Sequence, residues 1–390
     1  MLSERHGFQP CRSVSSMIGA LAPEGTASYN DTASKPCTDS DFQLSADQIV
    51  EIEGKSLKLT NLEKVLYPAT GFTKGQVIDY YARIAPVLVP HLANKPLTLK
   101  RYPNGVDQLP FFEKNATQHR PDWIKTAPIW SEGNQRNVNY ILANDLATLV
   151  WIANLAAIEL HPSLSLANDI LCPRTMVFDL DPGPPANIVQ CCQVATWLRA
   201  IFDHFKLESF PKTSGSKGLQ LYVPLNTKTS YDETKPFAHA LARLLENEHR
   251  DLVVSDMKKA VRVNKIFVDW SQNDDHKTTI SVYSLRARER PTVSTPVTWD
   301  EVERALKKKD PSLLVFEAHQ VLRRVEKMGD LFAPLLKLKQ KLPKMAGIGE
   351  GQPEAIAAGL DMAAQASGEV STKRPAASNR TIAAKRKRKK

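Results

Sequence analysis

Two aspartates stand two residues apart at the end of an apolar run, and a Pro-Gly-Pro triplet follows them at once. The run is Met176-Val-Phe-Asp-Leu-Asp-Pro-Gly-Pro184. Side chains alternate between the two faces of a β-strand, so Phe178 and Leu180 are predicted to face the core. Asp179 and Asp181 then share the opposite face, about 6–7 Å apart along the chain. Because proline and glycine end strands, the carboxylate pair should lie at a strand end, where a cleft can open.

A third aspartate occupies a comparable place in Ile266-Phe-Val-Asp-Trp270, where the apolar residues form one face and Asp269 lies on the other. Three carboxylates brought together would offer the oxygen ligands that divalent cations prefer. Two cations about 4 Å apart can stabilise both the attacking and the leaving oxygen of a phosphoryl transfer. An Asp-x-Asp pair before a Pro-Gly turn can also simply cap a loop. The second acidic strand favours a metal site.

Small residues and lysines make up the segment Lys212-Thr-Ser-Gly-Ser-Lys-Gly-Leu-Gln220. Its glycines permit close backbone approach, Ser214 can donate a hydroxyl hydrogen bond, and Lys217 adds a point charge. These are the groups that a triphosphate needs. The segment is not a Walker A loop, because the spacing differs and no helix follows. Taken alone, such a turn could be purely structural.

Two arginines follow a predicted strand at Thr279–Tyr283, in the segment Ser284-Leu-Arg-Ala-Arg288. If the strand continues, Arg286 and Arg288 project from one side, and guanidinium groups match phosphate geometry. A solvated basic strand edge would give the same pattern. The choice between these interpretations depends on what lies beside the arginines.

A predicted helix begins after Thr73, where Thr-Lys-Gly-Gln has the form of a capping box. Its N-terminus should offer free backbone N–H groups to an anion beside Lys74, and Lys64 lies ten residues earlier. The adjacent rings of Phe111 and Phe112 follow a turn and could stack on bases. Paired phenylalanines could equally belong to a core.

The order of predicted elements sets the fold class. Apolar periodicity predicts helices at Thr73–Leu92, 141–160, Ala186–Phe205 and Tyr231–Arg250. Short β-like runs lie at Thr175–Leu180, Leu219–Pro224, Lys265–Trp270 and Thr279–Tyr283. Helices and strands do not alternate strictly, which favours an α+β fold with mixed, largely antiparallel central sheets flanked by helices.

The two ends of the chain differ from its body. Residues 1–44 lack any period and are predicted to form a disordered tail, and residues 45–344 to form the folded body of the protein. Residues 345–390 end in Lys-Arg-Lys-Arg-Lys-Lys and are predicted to be a second disordered tail. That basic tail would add salt-sensitive attraction to DNA, or have no role. The net charge of +10 suits a polyanionic partner.

The five cysteines show no metal-ligand spacing, so we expect free thiols in a reducing cytosol. The first residues lack the apolar core of a secretion signal, and the run Ala147–Ile158 is too short to span a bilayer. We therefore expect no membrane association and a cytoplasmic protein.

Several motifs in fixed order resemble the polymerase domain of bacterial ATP-dependent DNA ligase D, a member of the archaeo-eukaryotic primase superfamily that acts in non-homologous end joining. The resemblance covers about residues 52–342. It rests on the following strings: TNLEKVLYPATGFTKGQVIDYYARIAPVLVPHL, KPLTLKRYPNG, PFFEK, FDLDPGP, TSGSKGL, VDWSQN and TTISVYSLRAR. It implies the primase-polymerase fold.

The resemblance also implies roles for individual residues. Asp179, Asp181 and Asp269 match the family's catalytic aspartates, which hold two Mn²⁺ or Mg²⁺ ions. Nucleotide binding is implied for Lys100, His161, Ser214, Lys217, Gln220, Arg262, Arg286 and Arg288. Lys64 and Lys74 match lysines that grip a DNA 5′-phosphate, and Phe111 and Phe112 match aromatic residues that contact the template strand.

Two departures from the family pattern stand out. The family's second motif usually ends in histidine, and Gln220 stands there in this chain. Glutamine can donate a hydrogen bond to phosphate but carries no charge, so we expect an effect on nucleotide affinity or turnover. The chain also lacks the Lys-x-Asp-Gly sequence of a ligase, so we expect a stand-alone polymerase module whose products another protein seals.

The sequence thus predicts a template-directed nucleotidyltransferase that extends or fills DNA ends and gaps. By resemblance, it should favour ribonucleotides, bind gapped duplexes with a 5′-phosphate, and work with Ku and a separate ligase. Two alternatives remain. The chain could be a DNA-end-bridging module with weakened catalysis, for which Gln220 would be a first sign, or a two-metal nuclease using the same acids.

Overall fold

The computed structural model describes residues 47–343, so the tails predicted at 1–44 and 345–390 lie outside the described residues. The first half contains nine strands and two helices in the following order: β1 (Asp47–Ile52), β2 (Lys55–Thr60), β3 (Val65–Tyr67), β4 (Phe72–Thr73), α1 (Lys74–Leu92), β5 (Leu97–Arg101), β6 (Phe111–Glu113), β7 (Thr126–Ser131), β8 (Arg136–Ile141), α2 (Leu146–Asn154) and β9 (Ala157–Pro162).

The second half contains the strands β10 (Ser165–Leu166), β11 (Asp169–Pro173), β12 (Thr175–Pro182), β13 (Phe210–Thr213), β14 (Leu219–Pro224), β15 (Val253–Val254) and β16 (Ile266–Asp269). Its helices are α3 (Ile188–His204), α4 (Tyr231–Glu248), α5 (Trp299–Lys308) and α6 (Ala318–Met328). Short 3-10 helices lie at Glu132–Asn134, Lys259–Arg262, Trp270–Gln272, Pro311–Leu314 and Ala333–Leu336.

Two five-stranded sheets organise the molecule. The first has the order β6-β5-β8-β7, with β9 paired to β5, and the second has the order β13-β14-β12-β16-β15. Their strand pairs are antiparallel except for β15 and β16. The largely antiparallel α+β arrangement predicted from the sequence is confirmed.

Strand β12 separates two hydrophobic cores, because its side chains alternate. Met176, Phe178 and Leu180 belong to a core built with α3 and α4. Val177 points the other way, into a core built with α1, α2 and the first sheet. Asp179 and Asp181 share the face of Val177, so both carboxylates lie on the face turned away from α3 and α4.

Side-chain caps define where the helices begin. Thr73 and Gln76 form a reciprocal capping box at α1, as the sequence predicts. Asp145 accepts from the N–H of Thr148 at the start of α2, and Asn187 forms a capping box with Gln190 at α3. The boundaries of α1, α3, α4 and β14 agree with the sequence prediction within about two residues.

Two predicted elements are wrong. The helix expected at 141–160 covers only Leu146–Asn154, and a left-handed residue, Ala156 (φ 56°), separates it from β9. A continuously apolar run does not distinguish a buried helix from a buried strand. The strand expected at Thr279–Tyr283 does not form. Tyr283 is left-handed (φ 62°), and the segment donates two backbone hydrogen bonds to β9 and one to the carbonyl of Ser294 without a continuous ladder.

Within the described part of the chain, no helix has the length and apolar character needed to cross a lipid bilayer. Cys172, Cys191 and Cys192 are buried free thiols.

Candidate active site

A row of four polar side chains crosses the second sheet on the face turned away from α3 and α4. In the antiparallel ladders, Asp179 on β12 lies opposite Asp269 on β16 and opposite Gln220 on β14. Gln220 in turn lies opposite Lys212 on β13. Directly opposed residues share a face, with Cβ atoms about 4.5–5.5 Å apart. The register therefore brings together two acids that are ninety residues apart in the sequence.

The third acid, Asp181, stands two residues further along β12 and is exposed. Its Oδ2 lies 3.7 Å from Nη1 of Arg262, whose guanidinium stacks 3.6 Å from the ring centroid of Phe267. Phe267 is the register partner of Asp181 on β16. The arginine predicted for nucleotide binding thus lies beside the acids.

Burial and mutual repulsion make it unfavourable for the acids of this row to be ionised together. The pKa of Asp179 is raised to about 6, mainly by burial and then by the neighbouring charge of Asp269. The hydrogen bond between Asp179 and Gln220 acts in the opposite direction and lowers this pKa. Burial also raises the pKa of Asp181, although the charges of Arg262 and Lys217 oppose this. Adjacent carboxylates that disfavour each other's ionised form are relieved by a bound cation.

Asp269 is held in one orientation. Its Oδ1 accepts from the N–H of Ser271 at 2.9 Å and from the Ser271 hydroxyl at 2.6 Å, and its Oδ2 accepts from Nε2 of Gln272 at 2.8 Å. These bonds arise because Asp269 caps the short helix Trp270–Gln272. Fixed carboxylates on one sheet face fit the oxygen-ligand chemistry of Mg²⁺ or Mn²⁺.

A different acidic group lies nearby in the chain. Among residues 47–343, the ligand atoms of Asp274, Asp275 and His276 all lie within 4.8 Å of one another. Asp274 is already ion-paired with Lys235 at 2.6 Å, and exposed acidic groups are common without a metal ion. The spacing of Asp274, Asp275 and His276 would suit a single ion.

The predicted phosphate loop closes tightly against β12. The N–H of Ser214 donates to the carbonyl of Gly218 at 2.9 Å, and the Ser214 hydroxyl oxygen accepts from the N–H groups of Ser216 and Gly218 at 3.2 and 3.1 Å. A Cβ at Gly218 would lie only 2.3 Å from the Leu180 carbonyl oxygen. Glycine is therefore required where the loop contacts the strand that carries the acids. Lys217 is exposed on this loop.

Gln220 is part of a buried polar bridge. Its Oε1 accepts from Nζ of Lys212 at 2.5 Å, and the same ammonium donates to the Ser294 hydroxyl at 2.6 Å. Lys212 is 0% exposed. The glutamine that replaces the family histidine thus connects the buried Lys212 side chain to Asp179. Burial lowers the pKa of Lys212 well below its usual value, although the charge of Asp179 opposes this. Neither Lys212 nor Ser294 is predicted to have a role from the sequence, because their meeting depends on strand register.

Three of the predicted nucleotide-binding residues gather around one buried acid, Glu159. Lys100 is its register partner on β5, His161 lies two residues along β9, and Arg286 comes from the segment after the second sheet. Arg288 is exposed and is not brought into this cluster. Side chains two residues apart share one side only in an extended strand, and the strand expected to carry the two arginines does not form. Glu159 is also absent from the sequence prediction, although its place two residues before His161 was an available signal.

Aromatic rings border the same cluster. Phe111 and Phe112 on β6 are 43% and 61% exposed, so neither belongs to the core. Nζ of Lys100 lies 5.5 Å from the Phe112 ring centroid, and the Phe112 and His161 ring centroids are 6.2 Å apart. The guanidinium of Arg101 lies 4.8 Å from the Phe111 ring. Exposed rings with adjacent cations suit contacts to nucleic acid.

The two lysines predicted to grip a 5′-phosphate differ in burial. Lys64 is exposed, whereas Lys74 is 5% exposed and its Nζ donates to the carbonyl oxygen and the hydroxyl of Thr60 at 2.5 and 3.2 Å. Burial, and then the nearby charge of Lys64, lower the pKa of Lys74 to about 8. The two cations therefore lie close enough to repel.

The expectation of free N–H groups at the start of α1 is wrong. The N–H groups of Lys74 and Gly75 donate to the carbonyl oxygens of Lys64 and Leu62, both at 2.8 Å, and that of Gln76 donates to the Thr73 hydroxyl. The preceding loop folds back over the helix end and uses the donors that an anion would need.

Comparisons with known proteins agree with this geometry. A family model described as "LigD, primase-polymerase domain" matches residues 73–332. The chain is 44% identical over 281 residues to the multifunctional non-homologous end joining protein LigD of Mycolicibacterium smegmatis, covering 72% of this chain and 36% of the relative. It is 31% identical over 291 residues to the bifunctional protein LigD of Bacillus subtilis, covering 74% of this chain and 46% of the relative.

A solved structure extends the comparison to the fold. It is described as the polymerase domain from Mycobacterium tuberculosis ligase D in complex with DNA, and it superposes with a TM-score of 0.67 at 40% identity. The match covers 73% of this chain and 99% of that chain. The chain spans less than half the length of the two LigD proteins from M. smegmatis and B. subtilis. The primase-polymerase fold and the resemblance are thus confirmed, and the chain belongs to the LigD primase-polymerase domain family of nucleotidyltransferases.

Proposed function

We propose that this protein is a template-directed nucleotidyltransferase that extends or fills DNA ends and gaps during non-homologous end joining. The observation that carries the proposal is the register of the second sheet. It aligns Asp179 with Asp269 and leaves Asp181 on the same face, beside the loop that contains Ser214 and Lys217. Carboxylates next to a glycine-serine loop combine ligands for divalent cations with donors for phosphate oxygens.

In the proposed mechanism, the three aspartates would hold two divalent cations, Mn²⁺ or Mg²⁺. When bound, these would lower the pKa of the primer 3′-hydroxyl and neutralise charge on the transferred phosphate. Ser214 and Lys217 donate to the triphosphate, and Arg262 adds positive charge beside Asp181. None of the three carboxylates forms a covalent bond to the substrate.

The remaining cationic and aromatic residues would bind the nucleotide and the DNA. Positive charge or hydrogen bonds around the nucleotide would come from Lys100, His161, Arg286 and Arg288. Gln220 would add a hydrogen bond to phosphate within the same site. The exposed rings of Phe111 and Phe112 would stack on the template strand. Lys64 and Lys74 would hold the 5′-phosphate across a gap. The DNA-bound state of the matched ligase D polymerase domain supports DNA as the partner.

Further parts of the proposal rest on the family. The relatives are end joining proteins, so Ku and a separate DNA ligase are the partners we propose, and the DNA of the nucleoid is the site of action. A preference for ribonucleotides and for Mn²⁺ over Mg²⁺ is proposed on the same basis.

One observation favours a second candidate. Gln220 occupies a family histidine position, which would fit a DNA-end-bridging module with weakened catalysis. The presence of Asp179, Asp181 and Asp269 on one sheet face favours the polymerase instead, because a module that only bridges DNA ends has no need of grouped carboxylates.

The deciding experiment uses a labelled gapped duplex with a 5′-phosphate, incubated with ribonucleotides or deoxynucleotides in Mn²⁺ or Mg²⁺. A lengthened primer supports the polymerase. A shortened primer would indicate a nuclease, and end binding with no change in primer length would indicate the bridging module. A Glu303→Gln variant, which alters an exposed acid paired with Arg199 at 2.9 Å and outside the row, controls for nonspecific loss of charge.

A further inference from the structure

The side chain of Glu159 is a carboxylate buried inside a group of cations. It is 2% exposed and lies on β9 opposite Lys100 of β5. Its Oε2 accepts from Nε2 of His161 at 3.0 Å and lies 3.6 Å from Nζ of Lys100. Its Oε1 accepts from Nε of Arg286 at 3.2 Å and from the N–H of Ala287 at 3.1 Å. One carboxylate thus contacts three basic side chains.

The electrostatic balance identifies the carboxylate as ionised. Burial alone would raise the pKa of Glu159, but the His161 hydrogen bond and the charges of Arg286 and Lys100 lower it to about 2. Burial, together with the charges of Arg286 and Lys100, lowers the pKa of His161. The hydrogen bond to Glu159 opposes this shift but does not cancel it. With His161 neutral, the group carries the two positive charges of Lys100 and Arg286 against one negative charge.

Arg286 extends this group to the other half of the protein. Its Nη1 donates to the carbonyl oxygen of Ser214 at 2.8 Å, so the guanidinium spans from β9 to the phosphate loop. A Cβ at Gly215 would lie 2.7 Å from Cγ of the arginine, which shows how closely the loop packs on it. Two of the guanidinium nitrogens are therefore committed to internal bonds, and their geometry depends on Glu159.

We propose that Glu159 is a positioning residue for nucleotide binding, holding Lys100, His161 and Arg286 in the arrangement that receives the triphosphate. The inference rests on the proposed nucleotidyltransferase function and names a residue that would not itself touch the nucleotide. Cations that would otherwise repel each other are fixed before the ligand arrives, so less side-chain entropy is lost on binding. The remaining donors of Lys100 and Arg286 stay available to phosphate oxygens.

The Glu159→Gln variant distinguishes a positioning role from an effect of net charge, because the two predict opposite changes in nucleotide affinity. Removing a negative charge from a site for a polyanion should tighten binding if only net charge matters. If the carboxylate positions the cations, binding should weaken, because glutamine offers one neutral acceptor in place of two charged oxygens. The substitution keeps the size of the side chain, which limits packing effects.

The test is calorimetric titration of the full chain with ATP in Mg²⁺. We expect Glu159→Gln to raise the Kd for ATP at least about tenfold, and steady-state primer extension to show a larger change in KM for the nucleotide than in kcat. Glu301→Gln is the matched control, since it breaks another partly buried ion pair, with Arg324 at 2.6 Å, without touching the cluster. Its Kd should equal that of the wild type.

Each outcome has a defined meaning. Unchanged or tighter ATP binding by a folded Glu159→Gln variant overturns the positioning role. Absence of ATP binding by the wild-type chain would instead refute the proposed nucleotide function. If circular dichroism shows that Glu159→Gln is unfolded, Glu159→Asp replaces it, because it keeps the charge but withdraws it by one methylene. Weaker binding by that variant supports positioning, and wild-type affinity contradicts it.

Discussion

Asp179 and Asp269 lie directly opposite each other on neighbouring antiparallel strands, β12 and β16. Their proximity follows from backbone pairing, so it does not require either side chain to attract the other. The hydrogen-bonded ladder keeps two mutually repelling carboxylates together, and part of the sheet's stability offsets that repulsion. Such an arrangement is typical of functional sites, where local electrostatics are unfavourable until a ligand binds.

Replacing an acid of the row should stop catalysis without stopping DNA binding. Asp179→Ala or Asp181→Ala removes a proposed metal ligand, which we expect to lower primer extension at least about 100-fold, since metal stabilisation supplies several kcal/mol. Gel-shift affinity for the gapped duplex should not weaken by more than about twofold, because the aspartates repel rather than bind phosphate. Normal extension by either variant would remove the aspartates from the mechanism.

The close contact at Gly218 predicts a specific sensitivity. Gly218→Ala would place a methyl group 2.3 Å from the Leu180 carbonyl oxygen, so the phosphate loop must shift away from β12. We expect a stability loss of about 1–3 kcal/mol in urea unfolding, together with a raised KM for the nucleotide. Gly133→Ala is the control, because a Cβ there meets no atom within 4 Å. Equal behaviour of the two variants would contradict the packing argument.

Breaking the buried bridge at Gln220 should reduce stability. Gln220→Leu removes one acceptor of Lys212 and leaves the ammonium group with the Ser294 hydroxyl. Leaving a buried donor less satisfied costs about 1–3 kcal/mol, measurable as a lower urea midpoint. Gln220→His tests the family residue at the same position, and we expect it to raise nucleotide affinity. A fully stable Gln220→Leu variant would show that the bridge contributes nothing.

Binding of the 5′-phosphate should depend on pH through Lys74. Its pKa is lowered to about 8, so the ammonium is charged below that pH and increasingly neutral above it. Affinity for a 5′-phosphorylated gap should therefore fall as the pH rises through the pKa of Lys74, while affinity for a 5′-hydroxyl gap changes little. Lys74→Arg should flatten the profile, because arginine stays charged throughout. Fluorescence anisotropy at fixed ionic strength measures both proteins on both duplexes.

Phe112 provides a separate test of template contact. Phe112→Ala should weaken binding to a duplex with a single-stranded template overhang by about 1–3 kcal/mol, the usual contribution of one stacked base. Leu171→Ala alters another exposed apolar side chain, 63% exposed, and should have no effect. If both variants bind like the wild type, the ring does not contact the template.

The sequence predicts those parts of the site that depend on local alternation. Asp179 and Asp181 share a strand face because a period of two is a property of the strand itself. Lys212 and Glu159 were not predicted, because they are charged groups whose burial is possible only with partners from other strands. Their roles depend on register and on tertiary contacts that no single segment encodes.

The fold was predictable to a similar degree. Capped amphipathic helices such as α1 were located correctly because the cap and the apolar period agree. The segment at Thr279–Tyr283 has the composition of a strand, yet a left-handed Tyr283 turns it away from any ladder. The side chain and backbone of Tyr283 instead hydrogen-bond to Asp330 and Tyr80, contacts from distant parts of the chain.

The shortness of β16 has a consequence for how this protein can change by insertion or deletion. Only four residues, Ile266–Asp269, hold Asp269 in register. Inserting one residue between Val268 and Asp269 would rotate the carboxylate to the helix-covered side of the sheet while most of the strand stayed paired. Such a chain could fold and remain abundant yet have no activity, so length variation at this point would be limited by chemistry before it was limited by folding.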